Sequence, residues 1–524
     1  MDRLSLVSGG LLVLVVVVAY LSVAFRSLRT MQSIDDFFIF NRRLRDTSVF
    51  STTFAAEMSL ATVFIAFMTL AAVLGLNLVV AMLTFVAGQL VLWLVIPAIK
   101  TKVFWGETLQ TFLGKAYDSP KLRAVASATS IVGFIGLFAT EILVGSGVFT
   151  TLTGNERSHV AIVAVVATLV VFYTTLGGFK SVVATDRWQA AGVFLVIAVL
   201  MFAALTLGGE QGEPIVPRHF IDDFQFSFLL FVNFLIINTL YPICDMSAWQ
   251  RIAAARDEQT ARRGFFAAML SFLVTWSLII VAALALVEFT QGETGGGALM
   301  RPLSLLADTG LVGTLFVGLA LAALAAAMLS TGDTFLIAAA QSLSIDILAK
   351  DFFAERRAAD QAAEEGSPAE PLTGQLRTRP RAPPAFVEET FAGVGSHAVL
   401  FKARMSIVAM ATAGIIVFGW LQAIGFAVAD FVFVIYGSTV ALLPVICGAF
   451  LIRSPEFRRR LGPYAIAALL VGLIAGWAYG VASVLQVAPV LPLLGQGSAY
   501  NSPTLAVLAS AAVYAFGLAA ERRA

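Results

Sequence analysis

Ser330, Thr331, Thr334 and Gln341 lie inside one apolar stretch, LAALAAAMLSTGDTFLIAAAQSLSID, which runs from Leu321 to Asp346. At about 100° per residue these side chains share one helical face with Ala327 and Ala338, and Asp333 falls at its edge. Hydroxyl oxygens on a narrow face among small residues have two uses in an apolar setting. They ligate a hard cation or line a water path, or they act as packing contacts between helices. The Ser-Thr pair by itself does not choose between these readings. Glu57, in AAEMS, and Glu141, in GLFATEILVGSG, add carboxylates within apolar runs. Such groups are costly in a membrane helix unless paired or hydrated.

The elements that must position these groups follow from composition. The chain has 524 residues, of which 59% are hydrophobic and 13% charged, with a mean hydropathy of +0.88. Soluble domains are about 25% charged, so the expected class is an all-α polytopic membrane protein. A net charge of +1 gives no bulk attraction to nucleic acid. The cysteines, Cys244 and Cys447, support no disulfide framework or thiolate metal site. His159, His219 and His397 fall in predicted loops or at helix ends, which leaves no buried histidine cluster. With no nucleophile–base pair or metal cluster in view, the expectation is not an enzyme. The first apolar run has no small-residue cleavage site after it and reads as a retained helix.

Apolar runs of about 20 residues span a bilayer, and thirteen are present, from 6–25 to 503–519. Placing residues 26–47 in the cytoplasm also puts Lys100, Lys102, Arg251, Arg256, Arg453 and Arg522 inside, as the positive-inside rule requires. The expected location is the plasma (inner) membrane, multi-pass, with the N-terminus outside and the C-terminus cytoplasmic. Residues 354–396 are charged, Pro-rich and poor in large apolar side chains. They read as a disordered cytoplasmic insertion, the alternative being a docking segment for a cytoplasmic partner.

Four motifs carry a resemblance. In YTTLGGFKSVVATDRWQ, Tyr173 to Gln189, Gly177-Gly178 ends one helix at a left-handed turn, and Asp186 opens the next, where a carboxylate suits the helix dipole. This stretch resembles the signature between the fourth and fifth core helices of the sodium:solute symporter family. IDDFFIFNR from Ile34, DMSAWQRIAA from Asp245 and MLSTGDTFLIAA from Met328 resemble, in order, the family's segment after the first helix, the end of core helix 6, and the signature of core helix 8. The resemblance implies two five-helix inverted repeats. Residues 1–47 would be a leading helix and connector, 48–207 the first repeat, 208–452 the second with its insertion, and 453–524 two closing helices. It also implies broken core helices 1 and 6, here at Ala55–Ser59 and Asn238–Pro242. Unwound backbone at membrane depth is where transporters hold ions and substrate.

The resemblance also implies site residues. The principal sodium site would use the carbonyls of Ala55, Met58 and Ala327 with the hydroxyls of Ser330 and Thr331. The last three lie within about one helical turn. Substrate candidates are Glu57, Ser59, Glu141, Asn238, Tyr241, Asp245 and Tyr436, with Ser438 weaker. Sodium/proline members carry an aspartate at the Glu57 position, so Glu57 either strengthens sodium binding or meets a cationic part of the substrate. Glu141 either binds an amine or is capped by a neighbouring hydroxyl. Similarity to the sialic acid transporters implies a second cation site at Asp186, Ser330, Asp333 and Thr334, on the inner exit path. This chain departs from that pattern by carrying a carboxylate, Asp333, where a hydroxyl is expected. The alternative is that Asp333 reaches interfacial water or pairs with Arg187 or Lys180. The implied function is Na+-driven symport of a small polar organic solute by alternating access. A solute-sensing receptor with the same fold and a proton-coupled symporter are the rivals.

Overall fold

The computed structural model describes residues 3–31, 33–102, 108–153, 158–208, 214–348, 394–423, 428–489 and 498–523. The insertion read at 354–396 therefore lies almost wholly outside the described residues. Those residues fold into helices, with one isolated β-bridge between Leu44 and Ala255. In hydrocarbon every backbone amide must be satisfied within its own segment, and the helix does this.

Among the described residues nine helical spans are long and apolar enough to cross a membrane, or ten when a bent pair is joined. Two of the nine, Leu60–Thr101 and Ala161–Leu207, run 42 and 47 residues. At 1.5 Å per residue each is about twice the length a bilayer core needs, and each encloses two of the apolar runs read from sequence. Arg3–Thr30 is a further helix, and it packs against Ser158–Leu207 and Leu311–Gln341.

The breaks fall where backbone chemistry permits them. Asp46–Glu57 ends at Met58, and Ser59 is extended, with φ −63° and ψ 139°. A π-helical turn, Leu60–Ile65, restarts the chain. The first break is thus at the expected residues. The second differs from expectation. Phe228–Cys244 is helical through Asn238 and Pro242, and the 42° bend comes at Asp245, before Met246–Ala254. Pro242 lacks the amide that would bond to the Asn238 carbonyl. That carbonyl packs instead against Gly88, where an added Cβ would lie 2.1 Å from it. The helix continues through the proline with Gly88 close against it, and the chain turns at an aspartate that caps the next helix.

Ser158–Leu207 is interrupted at Gly178, with φ 56° and ψ −157°. A side chain there would collide with Phe37, whose ring and carbonyl lie 2.7 Å from the Cβ position. Helix restarts at once, so Asp186 lies about two turns inside it rather than in its first turn, and is fully buried. Leu311–Gln341 occupies the centre, buried from Ala320 through Thr334. Its alanines admit Pro120–Thr153, Ser158–Leu207 and the leading helix at short range.

Candidate functional site

Two sets of groups meet the first helix break from different sides. The first is a cavity of about 580 Å³ whose wall includes Glu57, Thr62, Asn238, Tyr241, Trp276 and Tyr436. Tyr241 and Tyr436 meet edge to face at 4.8 Å. Trp276 is fixed by stacking on Phe85 at 4.3 Å and by Phe67 edge-on at 5.0 Å. Asn238 donates its NH2 to the Ala81 carbonyl at 2.9 Å and the Thr84 hydroxyl at 3.2 Å.

The second set is a buried polar cluster on the other side of the break. The Ser330 hydroxyl donates to Asp186 at 2.8 Å, and the Thr52 hydroxyl donates to the other oxygen of the same carboxylate. Tyr173 donates to Asp333 Oδ2 at 2.5 Å, with the Leu329 carbonyl also within 2.9 Å. Asp333 Oδ1 is buried and accepts nothing among the described residues. Thr331 donates back to the Ala327 carbonyl at 3.3 Å. Helices Asp46–Glu57, Ser158–Leu207 and Leu311–Gln341 thus converge on Asp186 through Thr52, Asp186 itself and Ser330. Tyr20 of the leading helix joins them, since Gln189 donates to its hydroxyl and its ring meets Tyr173 edge-on at 5.1 Å.

Arg251 completes this cluster. It is 1% exposed, although the sequence reading placed it in a loop as a marker of orientation. Its Nε donates to the Thr52 carbonyl at 3.1 Å and lies 3.2 Å from the Thr52 hydroxyl. Nη1 donates to the Ser247 carbonyl at 3.1 Å and Nη2 to the Thr334 hydroxyl at 2.8 Å. A planar guanidinium can serve several acceptors at once, so it ties the second broken helix to the first and to Leu311–Gln341. The short helix Met246–Ala254 is closed by Lys100, which donates to the carbonyls of Ile252, Ala253 and Ala255 at 2.9, 3.3 and 2.5 Å.

The expected residues separate into groups. Ser330, Thr334, Asp186 and Asp333 come together, and Thr334 carries the guanidinium. Thr331 adjoins Ser330 and Ala327 lies about one turn before it on the same buried helix, and Ala55 and Met58 lie at the break. Glu57, Asn238, Tyr241 and Tyr436 reach the cavity. Glu141 does not line it: its carboxylate accepts from the Ser59 hydroxyl at 2.6 Å and the amides of Leu60 and Ala61 at 3.0 and 3.3 Å. Ser59 is occupied by that bond and by the Thr62 amide. Asp245 caps the helix after the bend, accepting from the Ser247 amide and hydroxyl at 2.8 and 2.6 Å. Ser438 accepts from Trp477 at 2.7 Å. The alternatives for Asp333 find other partners, Arg187 at Ser48 and Lys180 at Thr30.

Sequence reasoning missed Arg251, Tyr173, Thr52 and Trp276. A signal existed for Arg251, an isolated charge between Trp249 and Ile252 in a short segment directly after an apolar run. Thr52 and Trp276 gave none, since each resembles ordinary packing residues.

Comparison with known proteins bears on the fold and the family. The model of the sodium:solute symporter family matches residues 37–365. A search of curated proteins returned no match. Among solved structures, a Na+-coupled sialic acid symporter in a substrate-bound outward-open state is similar over 97% of both chains, with a TM-score of 0.65 and 15% identity. Mhp1, a nucleobase-cation-symport-1 family transporter solved with bromovinylhydantoin bound, is similar over 93% of this chain and 94% of its own, with a TM-score of 0.52 and 13% identity. At these identities the likenesses establish the fold, and the family match extends over more than half of the sequence. The chain belongs to the sodium:solute symporter family.

Proposed function

We propose that this protein couples inward sodium movement to uptake of a small organic solute by alternating access. The observation that carries the reading is the position of the Met58–Ser59 break. Solute in the cavity would meet Glu57 and Thr62 on either side of that break, while an ion near Ser330 would reach the same broken helix at Thr52, which shares the Asp186 carboxylate with Ser330. One mobile element would then sense both ligands, which is what coupling requires. Sodium, as transported ion, would be held by the carbonyls of Ala55, Met58 and Ala327 and the hydroxyls of Ser330 and Thr331. That all-oxygen donor set suits a hard cation.

The available energy is sufficient. One charge moved across ~100 mV supplies ~2.3 kcal/mol, and a tenfold sodium gradient adds ~1.4 kcal/mol. Together they support accumulation of a neutral solute by roughly several hundredfold. In this reading the N-terminus faces outside and the C-terminus the cytoplasm of a plasma-membrane protein built from two five-helix inverted repeats.

Asp333 favours a second coupled cation. Asp333 Oδ1 accepts no hydrogen bond among the described residues and lies buried near the Asp186 carboxylate, which supports a proton or a second sodium there. The Arg251 guanidinium already neutralises part of this cluster, which favours the proton. Purified protein reconstituted on a sensor membrane tests the reading as a whole. Charge movement should require sodium and solute together. Currents of equal size when potassium replaces sodium would exclude sodium coupling.

A further inference from the structure

The cavity wall says which solutes suit it. Glu57 is the one charged residue in that wall, and the wall contains no lysine, arginine or histidine among the described residues. Glu57 has no hydrogen bond or ion pair among the described residues. Asp245 and Arg251 act on it electrostatically with opposite sign. Glu141, the other carboxylate near the break, spends its acceptors on Ser59, Leu60 and Ala61 and stays out of the cavity. The NH2 of Asn238 is engaged by Ala81 and Thr84, which leaves its Oδ1 as a neutral acceptor in the wall. Most of the remaining wall is aromatic or aliphatic, with Phe67, Phe85, Trp276, Tyr241, Tyr436 and Phe433 contributing rings.

This composition has a direct chemical consequence. An anionic solute would enter an apolar chamber holding a carboxylate and no fixed cation, so its charge would be desolvated without a partner. A neutral polyol would find polar partners at Thr62, Thr69 and Thr294, but the rings that make up much of the wall would face its remaining hydroxyls without serving them. An ammonium group finds both partners it prefers. The carboxylate gives a charge-assisted contact, and ring faces attract the cation and cover an apolar body. We infer that the solute is an organic amine, carrying its ammonium toward Glu57 and an apolar portion toward Trp276 and its neighbouring rings. The inference rests on the reading of this cavity as the solute site, and it replaces the generally polar solute expected from sequence with a defined class.

Three probes of one shape decide it: phenethylamine, 2-phenylethanol and 3-phenylpropionate, titrated calorimetrically into the purified full-length protein. Phenethylamine should bind at least about tenfold more tightly than either of the others. Glu57→Gln should weaken phenethylamine about tenfold or more while leaving 2-phenylethanol within about twofold. Tighter binding of 3-phenylpropionate, or equal binding of the three, would overturn the inference. So would a Glu57→Gln protein that keeps full affinity for phenethylamine and loses only its response to sodium. If Glu57→Gln does not fold, the ranking on the unaltered protein decides alone. The titrations are run in potassium and again in sodium. Amine preference in potassium with no change in sodium would support the inference while counting against sodium coupling, so the two ideas fail separately.

Discussion

Arg251 reaches Thr334 at 2.8 Å from the far side of a bent helix, and through Thr52 the same guanidinium touches the helix that breaks at Met58. One side chain therefore fastens both broken helices to the central helix Leu311–Gln341. The broken helices are the elements expected to move between states, so the conformation seen here is held partly by this contact.

Arg251→Ala should destabilise this conformation. It removes both the donors that reach Thr52, Ser247 and Thr334 and the buried cation near the Asp186 carboxylate, and hydrogen bonds of a charged group are worth about 1.5–3 kcal/mol each. Arg251→Lys should fall between parent and alanine variant, since an ammonium lacks the planar fork that reaches separate acceptors. Thermal unfolding in detergent checks the order. An alanine variant as stable as the parent would show that the guanidinium is not a tether.

Glu141 is predicted to hold the first break open. Three donors converge on its carboxylate, from Ser59, Leu60 and Ala61. Glu141→Ala should lower stability by about 2–4 kcal/mol, and Glu141→Gln by less, because a single amide oxygen can serve only part of the set. Neither variant should change which solute is preferred, since Glu141 does not line the cavity. A change in solute ranking with unchanged stability would place it in the binding site instead.

The Asp333 carboxylate should matter for ion coupling. Asp333→Asn keeps an acceptor for Tyr173 and removes the ionisable oxygen. Asp333→Ser restores the hydroxyl expected from the sialic acid transporters. Coupling through this residue predicts that both variants shift the Hill slope for sodium or the pH optimum of uptake. If both profiles match the parent, Asp333 is structural and the second cation site is to be abandoned.

The fold class and the central helix were legible in the sequence because apolar run length and the period of Ser330, Thr331 and Thr334 report directly on a membrane helix. The break at Met58 was legible from Ala55–Ser59, where a polar pair interrupts an apolar run. The second break falls at Asp245 and not at Pro242, and the sequence does not reveal the tertiary contact by which Gly88, lacking a side chain, leaves room for the Asn238 carbonyl. Asp186 was placed too near a helix end, since Gly177-Gly178 marks a kink without showing how soon helix resumes. The membership of the polar cluster was least legible. Arg251 and Thr334 lie 83 residues apart, so although Arg251 stands as an isolated charge beside an apolar run, the sequence does not show which distant groups it meets.

Sodium titration of thermal stability, on the parent and on Ser330→Ala and Thr331→Ala, tests the central claim of ion coupling most directly, because it needs no knowledge of the solute. The parent should be stabilised by sodium and not by equal potassium. Each variant should fold, since alanine fits a small-residue interface, and should need about tenfold more sodium for half the effect, having lost one of about five ligating oxygens. Identical sodium curves for the parent and both variants would contradict the assignment of the ion site to this helix.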